Sequence, residues 1–187
     1  GQVVDALTGG PIRNAVNIQQ VAPEVFQEIA PYLTLAEKIG SLHTQLTVGG
    51  MEEVEIKISG EISSYEVKPF TVAALKGMLS TILKETVVNY VNAPFIAQER
   101  GIKIVENKKT KEEDFTNLIS ITLKTDKKTS QIAGSIFQKN EARIVAIDGF
   151  RIDAIPQGDM LVISNMDKPG VIGNLGTLLG KNNINIA

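Results

Sequence analysis

Apolar residues recur every three or four positions along some stretches of the chain and every second position along others, which predicts amphipathic helices mixed with half-buried strands. From Pro23 a short helical stretch carries Val25, Phe26 and Ile29. Pro31 follows and suits the first turn of a second, longer helix, where its missing N–H is no loss. In that helix Leu35, Ile39, Leu42 and Leu46 fall on one face, and Gly49-Gly50 stops it. Val54, Ile56 and Ile58 alternate with Glu55 and Lys57, the period of a strand with one buried face. Gly60 leads to a second strand over 62–67, so a hairpin is expected.

Pro69 ends that strand, and Thr71 is placed to cap a helix bearing Val72, Leu75, Leu79 and Ile82. A further helical stretch over 88–100 is interrupted at Pro94 and ended by Gly101. After a strand at 102–105, the tract 107–114 carries Lys108, Lys109, Lys111, Glu112 and Glu113 and reads as a solvated loop. Four β-like runs follow: Ile119/Ile121/Leu123, Ile132/Gly134/Ile136, Val145/Ile147 and Phe150/Ile152/Ala154. Between the last two, Asp148-Gly149 is a two-residue hairpin turn, since both residues tolerate positive φ. An antiparallel meander with helices on one face is the natural packing. Beyond Pro156-Gln-Gly158, a strand at 160–164, a helix at 169–181 and a new strand at 184–187 read as a separate β-α-β unit, with a boundary near 157. Residues 1–10 read as the last turns of a helix closed by Gly9-Gly10-Pro11, and 14–17 as a connection out of a preceding domain. The chain reads as a piece of something longer.

With 187 residues, 43% hydrophobic and 21% charged, the composition fits one or two globular domains. The 19 basic and 21 acidic residues give a net charge of -2, which disfavours a nucleic-acid binder or a polybasic membrane anchor. There is no cysteine and a single histidine, so thiolate catalysis and cysteine-ligated zinc are excluded. No apolar run approaches the roughly 20 residues of a membrane helix. A soluble, cytoplasmic protein is the expectation.

Phosphate-cradling, nucleophile-elbow and zinc-protease motifs are absent from the sequence. Gly170, Gly173 and Gly176 nearly spell a dinucleotide fingerprint, but the first interval is one residue too long. His43 has no acidic residue at i±3 or i±4 to orient it as a base, and reads as a packed or exposed helical histidine. Lys68, Lys76, Arg100, Arg143 and Arg151 lie near strand ends and helix starts. They either converge on a phosphorylated or carboxylate ligand or are simply solvated. The turn from Ile163 to Val171 is open to two readings. It is a capped βα turn, in which Asp167 accepts from free helix N–H groups and Gly170 admits a close backbone, or it binds an amino acid. In the second reading Asn165, Asp167, Gly170 and Asn185 receive its amino and carboxylate groups.

The pattern Asn165-x-Asp167-x-Pro169-Gly170-Val171-Ile-Gly173, followed by Leu178-Leu179-Gly180 and Asn183-Ile-Asn185-Ile186, resembles the opening β-α-β of a ferredoxin-like ACT domain. Upstream, Pro11-Ile-Arg-Asn14-Ala-Val-Asn17, Lys68-Pro69, Leu75-Lys-Gly77, Val91-Asn-Ala-Pro94, Glu99-Arg-Gly101 and Arg143-Ile-Val-Ala-Ile-Asp148-Gly149-Phe150 resemble the intervening domain of the long-form D-3-phosphoglycerate dehydrogenase family. The resemblance implies an α+β fold in three parts: 1–17 as the tail of a catalytic, NAD-binding portion, 18–156 as the intervening domain, and 157–187 as a partial ACT domain. It also implies a parent enzyme that oxidises 3-phosphoglycerate with NAD at the first step of serine biosynthesis. The family's catalytic histidine and nucleotide-binding glycines precede Gly1, so this stretch is expected to hold no catalytic residue, cofactor or metal. Its implied role is regulatory, in a homo-oligomer, with L-serine bound at Asn165, Asp167, Gly170 and Asn185, and an anionic ligand at the basic residues of the intervening domain. The regulatory part of an iron–sulfur L-serine dehydratase shares a similar domain pair, and a purely structural oligomerisation module is a third reading. The dehydrogenase-like tail favours the first.

Overall fold

The computed structural model describes residues 23–111, 114–165 and 168–185, divided into two units between Pro156 and Gln157. The expected helix at 1–10 and the connection at 14–17 lie outside the described residues.

In the first unit, helix α1 runs without a break over Pro23–Leu46, with Pro31 inside it. The two expected helical stretches are therefore one. Ile29, Leu33, Leu35, Ala36 and Ile39 form a buried stripe on both sides of the proline. Burying side chains of this size contributes about 1.5–3 kcal/mol each, enough together to offset the roughly 3 kcal/mol an interior proline costs.

The sheet comprises β1 (Met51–Gly60), β2 (Lys103–Lys109), β3 (Asn117–Thr125), β4 (Thr129–Phe137), β5 (Glu141–Ile147) and β6 (Phe150–Ala154), in the order β2-β1-β3-β4-β5-β6. Only β1 and β2 are parallel; the rest is the expected antiparallel meander. Val54, Ile56, Ile58, Ile119, Ile121, Leu123, Ile132 and Ile144 are buried on the face that meets the helices. A Cβ added at Gly134 would come within 3.0 Å of Leu35 Cδ1 and 2.9 Å of Ile39 Cδ1, so α1 lies directly on β4. The β5–β6 turn has φ 48° at Asp148 and 82° at Gly149, as the dipeptide predicts.

The hairpin expected at 62–67 does not form. Gly60, at φ 86°, turns the chain into a 3-10 helix over Glu61–Ser64, and the Ile62 N–H donates to Asn117 Oδ1 at 2.8 Å. Ile62 and Val67 thereby reach the core instead of alternating along a strand. Helix α2 then spans Lys68–Ile82 with Pro69 in its first turn. Thr71 is not its cap: it is buried within the helix, and its hydroxyl donates back to the Val67 carbonyl at 3.3 Å. The α1–α2 contact is backbone-close. A Cβ at Gly40 would strike the Ala74 carbonyl, and one at Gly77 the Glu37 carbonyl.

Helix α3 covers only Ala93–Glu99, with Pro94 in its first turn rather than interrupting a longer helix. Before it, Asn89 Oδ1 accepts from Val91 N at 2.9 Å and Asn92 N at 3.0 Å, while Asn92 Oδ1 accepts from Asn89 N at 2.7 Å. Two asparagine side chains thus build a local turn that competes with helix. The expected solvated loop at 107–114 is partly strand, since β2 continues to Lys109. Its parallel pairing with β1 lets Lys103 and Asn107 reach Glu53 and Glu55, both at 2.7 Å. A lysine-rich edge of this kind also discourages pairing with foreign strands.

The second unit contains helix α4, Val171–Lys181. The strand expected at 160–164 is absent: Leu161, Val162 and Ile163 are exposed, and no described residue pairs with them. A short apolar run supplies a strand candidate but not a ladder partner. Ile184 and Asn185 are likewise not strand, and the remainder of the expected 184–187 strand lies outside the described residues.

A candidate anion-binding face

Opposite the helices, the sheet carries polar and charged side chains. Glu141 and Arg143 are two residues apart on β5, and Arg151 and Asp153 two apart on β6, so each pair projects to one side of its strand. Arg143 Nη1 donates to Asp153 Oδ1 at 3.0 Å, and Nη2 to Glu141 Oε2 at 3.0 Å. Since Asp153 and Arg151 share a side, the two arginines occupy the same face. Arg143 lies opposite Ser135 of β4, and Arg151 opposite Ala146 of β5. Glu141 first, and Asp153 with it, favour the charged guanidinium of Arg143. Arg151 Nη2 donates to Asp114 Oδ2 at 2.5 Å. Arg143 is the more enclosed, with its side chain 26% exposed against 81% for Arg151. Forked donors of this kind recognise phosphate and carboxylate.

The other three basic residues do not join them. Lys76 lies on α2, in the helical layer, where Nζ donates to Glu37 Oε1 at 2.5 Å and sits 4.6 Å from the centroid of the Tyr90 ring. Tyr90 Oη donates to Glu37 Oε2 at 2.7 Å, and burial, then that bond, push the phenol's pKa up. Lys76 is thus engaged in tying α1, α2 and the 89–92 turn together. Lys68 is exposed at the start of α2 and Arg100 exposed at the end of α3. The five positions form an arginine pair on one face of the sheet and scattered cations elsewhere.

In the second unit, Gly170 is the N-cap of α4 at φ 89°, and Asn165 and Asn185 are exposed. Nothing lies within 4 Å of a Cβ added at Gly170, so its glycine is explained by the left-handed backbone, not by the close approach expected from the sequence. Asp167 lies outside the described residues. Gly173 and Gly176 sit inside the helix beside open space, and no described strand leads to Gly170, so this turn does not fit a dinucleotide. Among the described residues no cluster of acidic and histidine side chains has metal-site geometry.

His43 is the packed histidine of the two sequence alternatives, 1% exposed. Its Nε2 shares a 2.8 Å hydrogen bond with Ser130 Oγ, which also lies 3.3 Å from Thr47 Oγ1. Nδ1 is buried with no partner. Burial above all lowers its pKa from 6.5 to about 4.

Sequence reasoning missed the acidic partners. The Glu141-x-Arg143 and Arg151-x-Asp153 spacings were visible, and on strands they place each pair on one side. The Asp114 contact had no local signal because it joins residues far apart in the chain. Asn117 was also missed: besides accepting from Ile62, it donates through Nδ2 to Tyr32 Oη at 2.8 Å, and its carbonyl accepts from Ser135 Oγ at 2.6 Å.

Residues 28–148 match the family described as the D-3-phosphoglycerate dehydrogenase intervening domain. Similar proteins include D-3-phosphoglycerate dehydrogenases of Synechocystis sp., 38% identical over 100% of this chain and 34% of the relative, and of Archaeoglobus fulgidus, 38% identical over 99% and 35%. That of Bacillus subtilis is 37% identical over 100% of this chain and 35% of the relative. The chain therefore spans about a third of the length of the curated relatives it matches. Matched across most of its sheet and helices and along its full length, the chain belongs to the D-3-phosphoglycerate dehydrogenase family, in its intervening-domain region.

Proposed function

We propose that this chain is the regulatory, non-catalytic part of a D-3-phosphoglycerate dehydrogenase, the NAD-dependent enzyme that opens L-serine biosynthesis from 3-phosphoglycerate. The intervening domain binds a phosphorylated or carboxylate ligand, and the unit beyond Pro156, read as the start of an ACT domain, binds L-serine. The parent enzyme is a cytoplasmic homo-oligomer whose NAD site lies in its catalytic portion. The observation that carries the anion-binding reading is the pair Arg143 and Arg151 on one face of the sheet, each reaching carboxylates with charge-assisted hydrogen bonds. An anion with comparable oxygens is recognised by the same forks. Amino-acid binding at Asn165, Asp167, Gly170 and Asn185 rests on the motif and on the exposure of Asn165, Gly170 and Asn185.

An effector changes activity only through different affinities for two arrangements of the enzyme. Isothermal titration of the full-length protein with L-serine, and then with inorganic phosphate, tests both sites. Serine heat abolished by Asp167→Ala supports the amino-acid sensor. Phosphate heat lost in Arg143→Ala supports the anion site, and unchanged heats in both variants overturn the reading.

A further inference from the structure

Asp114 differs from the other carboxylates on the arginine face. Glu141 and Asp153 are themselves strand residues, Glu141 on the same strand as its partner Arg143 and Asp153 on the next, whereas Asp114 lies outside any strand, three residues ahead of β3. Its partner Arg151 is on β6, and β4 and β5 stand between β3 and β6. At about 4.8 Å per strand the contact reaches roughly 14 Å across the sheet. The neighbouring residue anchors that reach. Phe115 meets Phe137 edge-on, with ring centroids 6.2 Å apart at 88°. Phe137 is two residues beyond Ser135 on β4, and Ser135 faces Arg143 across the ladder, so the aromatic contact is on the arginine side.

Resting on the anion-binding reading above, we propose that Asp114 is an internal competitor for that site: its carboxylate fills the place of the ligand on Arg151 until an external anion displaces it. The chemistry supports displacement. A carboxylate and a phosphate oxygen make the same contact with a guanidinium, and an exposed ion pair is weak enough to exchange. Arg143, held by two strand-borne carboxylates, orients the site, while Arg151 changes partner. Phe115 keeps Asp114 close, so the competing group acts at high local concentration. The consequence is a weaker apparent affinity, lowered by the fraction of molecules in which Asp114 holds Arg151.

The test is titration of the full-length protein with inorganic phosphate at fixed ionic strength, comparing wild type, Arg143→Ala, Asp114→Asn, Arg151→Ala and the Asp114→Asn/Arg151→Ala double variant. Asp114→Asn should tighten Arg143-dependent phosphate binding roughly two- to fivefold, the range an exposed ion pair supplies. Arg151→Ala should abolish that gain in the double variant. Wild-type binding that depends on Arg143 yet is unchanged by Asp114→Asn overturns the competitor and leaves the anion site standing. A gain that survives Arg151→Ala reflects general charge and also overturns it. Phosphate binding indifferent to Arg143→Ala and Arg151→Ala overturns the anion site and the competitor together.

Discussion

Acidification between pH 6.5 and pH 4 is expected to destabilise the first unit through His43. The ring is 1% exposed, and its Nδ1 has no partner, so a second ring proton would have no acceptor. Its pKa is about 4 in the folded chain against 6.5 for the ordinary side chain; burial is the main cause, and Asp148 opposes it. Within that window the unfolded chain binds more protons than the folded one, so stability rises with pH. The histidine's contribution is complete above pH 6.5 and is lost progressively as pH falls towards 4. A separation of about 2.5 between the two values is worth on the order of 3 kcal/mol. Urea midpoints measured every half unit from pH 7.5 to 4, for the wild type and His43→Gln, isolate the effect. The wild type should lose on the order of 3 kcal/mol more than the variant, most of it below pH 6. Parallel curves for the two proteins would refute the reasoning, because the carboxylates that titrate in the same range are common to both.

The glycines at the α1–α2 crossing and at the β5–β6 turn should respond differently to alanine. Gly77→Ala drives a Cβ into the Glu37 backbone carbonyl, and thermal unfolding should report a loss of about 1–3 kcal/mol as the helices separate. Gly149→Ala meets open space but keeps φ at 82°, so its loss should be about 1–2 kcal/mol, from backbone strain alone. Asn117→Ala leaves the Ile62 N–H without its acceptor and Tyr32 Oη without its donor, and denaturant unfolding should show a loss of about 1–3 kcal/mol. Recovery with Asn117→Asp would show that the acceptor for Ile62 is the larger part.

The meander was readable because its information is local: β3 to β6 alternate, and turn residues punctuate them. Short apolar stretches bounded by turn residues misled at 62–67 and 160–164. Ile62 and Val67 are apolar for the core and not for a sheet face, and which applies is decided by Asn117, far along the chain. Pro31 misled for a related reason: local geometry favoured a helix start, and tertiary burial on both sides overrode it. For the candidate site, the basic residues were legible but their division was not. Whether Lys76 and Arg143 converge depends on which layer each element joins, and Lys76 meets Glu37 only because α2 lies against α1. The carboxylates that now define the arginine face were visible as charges and as two-residue spacings. Asp114 was indistinguishable from its charged neighbours until the fold brought it to Arg151.

The parallel pairing of β1 with β2 sets an order of assembly. β3 to β6 are joined by short turns, so their ladders close small loops at little entropic cost. β2 is separated from β1 by a 3-10 turn and two helices, and its register exists only after that whole excursion has folded back. Non-local contacts of this kind form late. Strand β2 is expected to be the last to zip and, as a polar edge with one neighbour, the first to open. Amide exchange would then run fastest in Lys103–Lys109 and slowest in β3 and β4. The oldest structure in each folding event is thus the arginine-bearing meander, and the crossover strand is fitted onto a sheet that already exists.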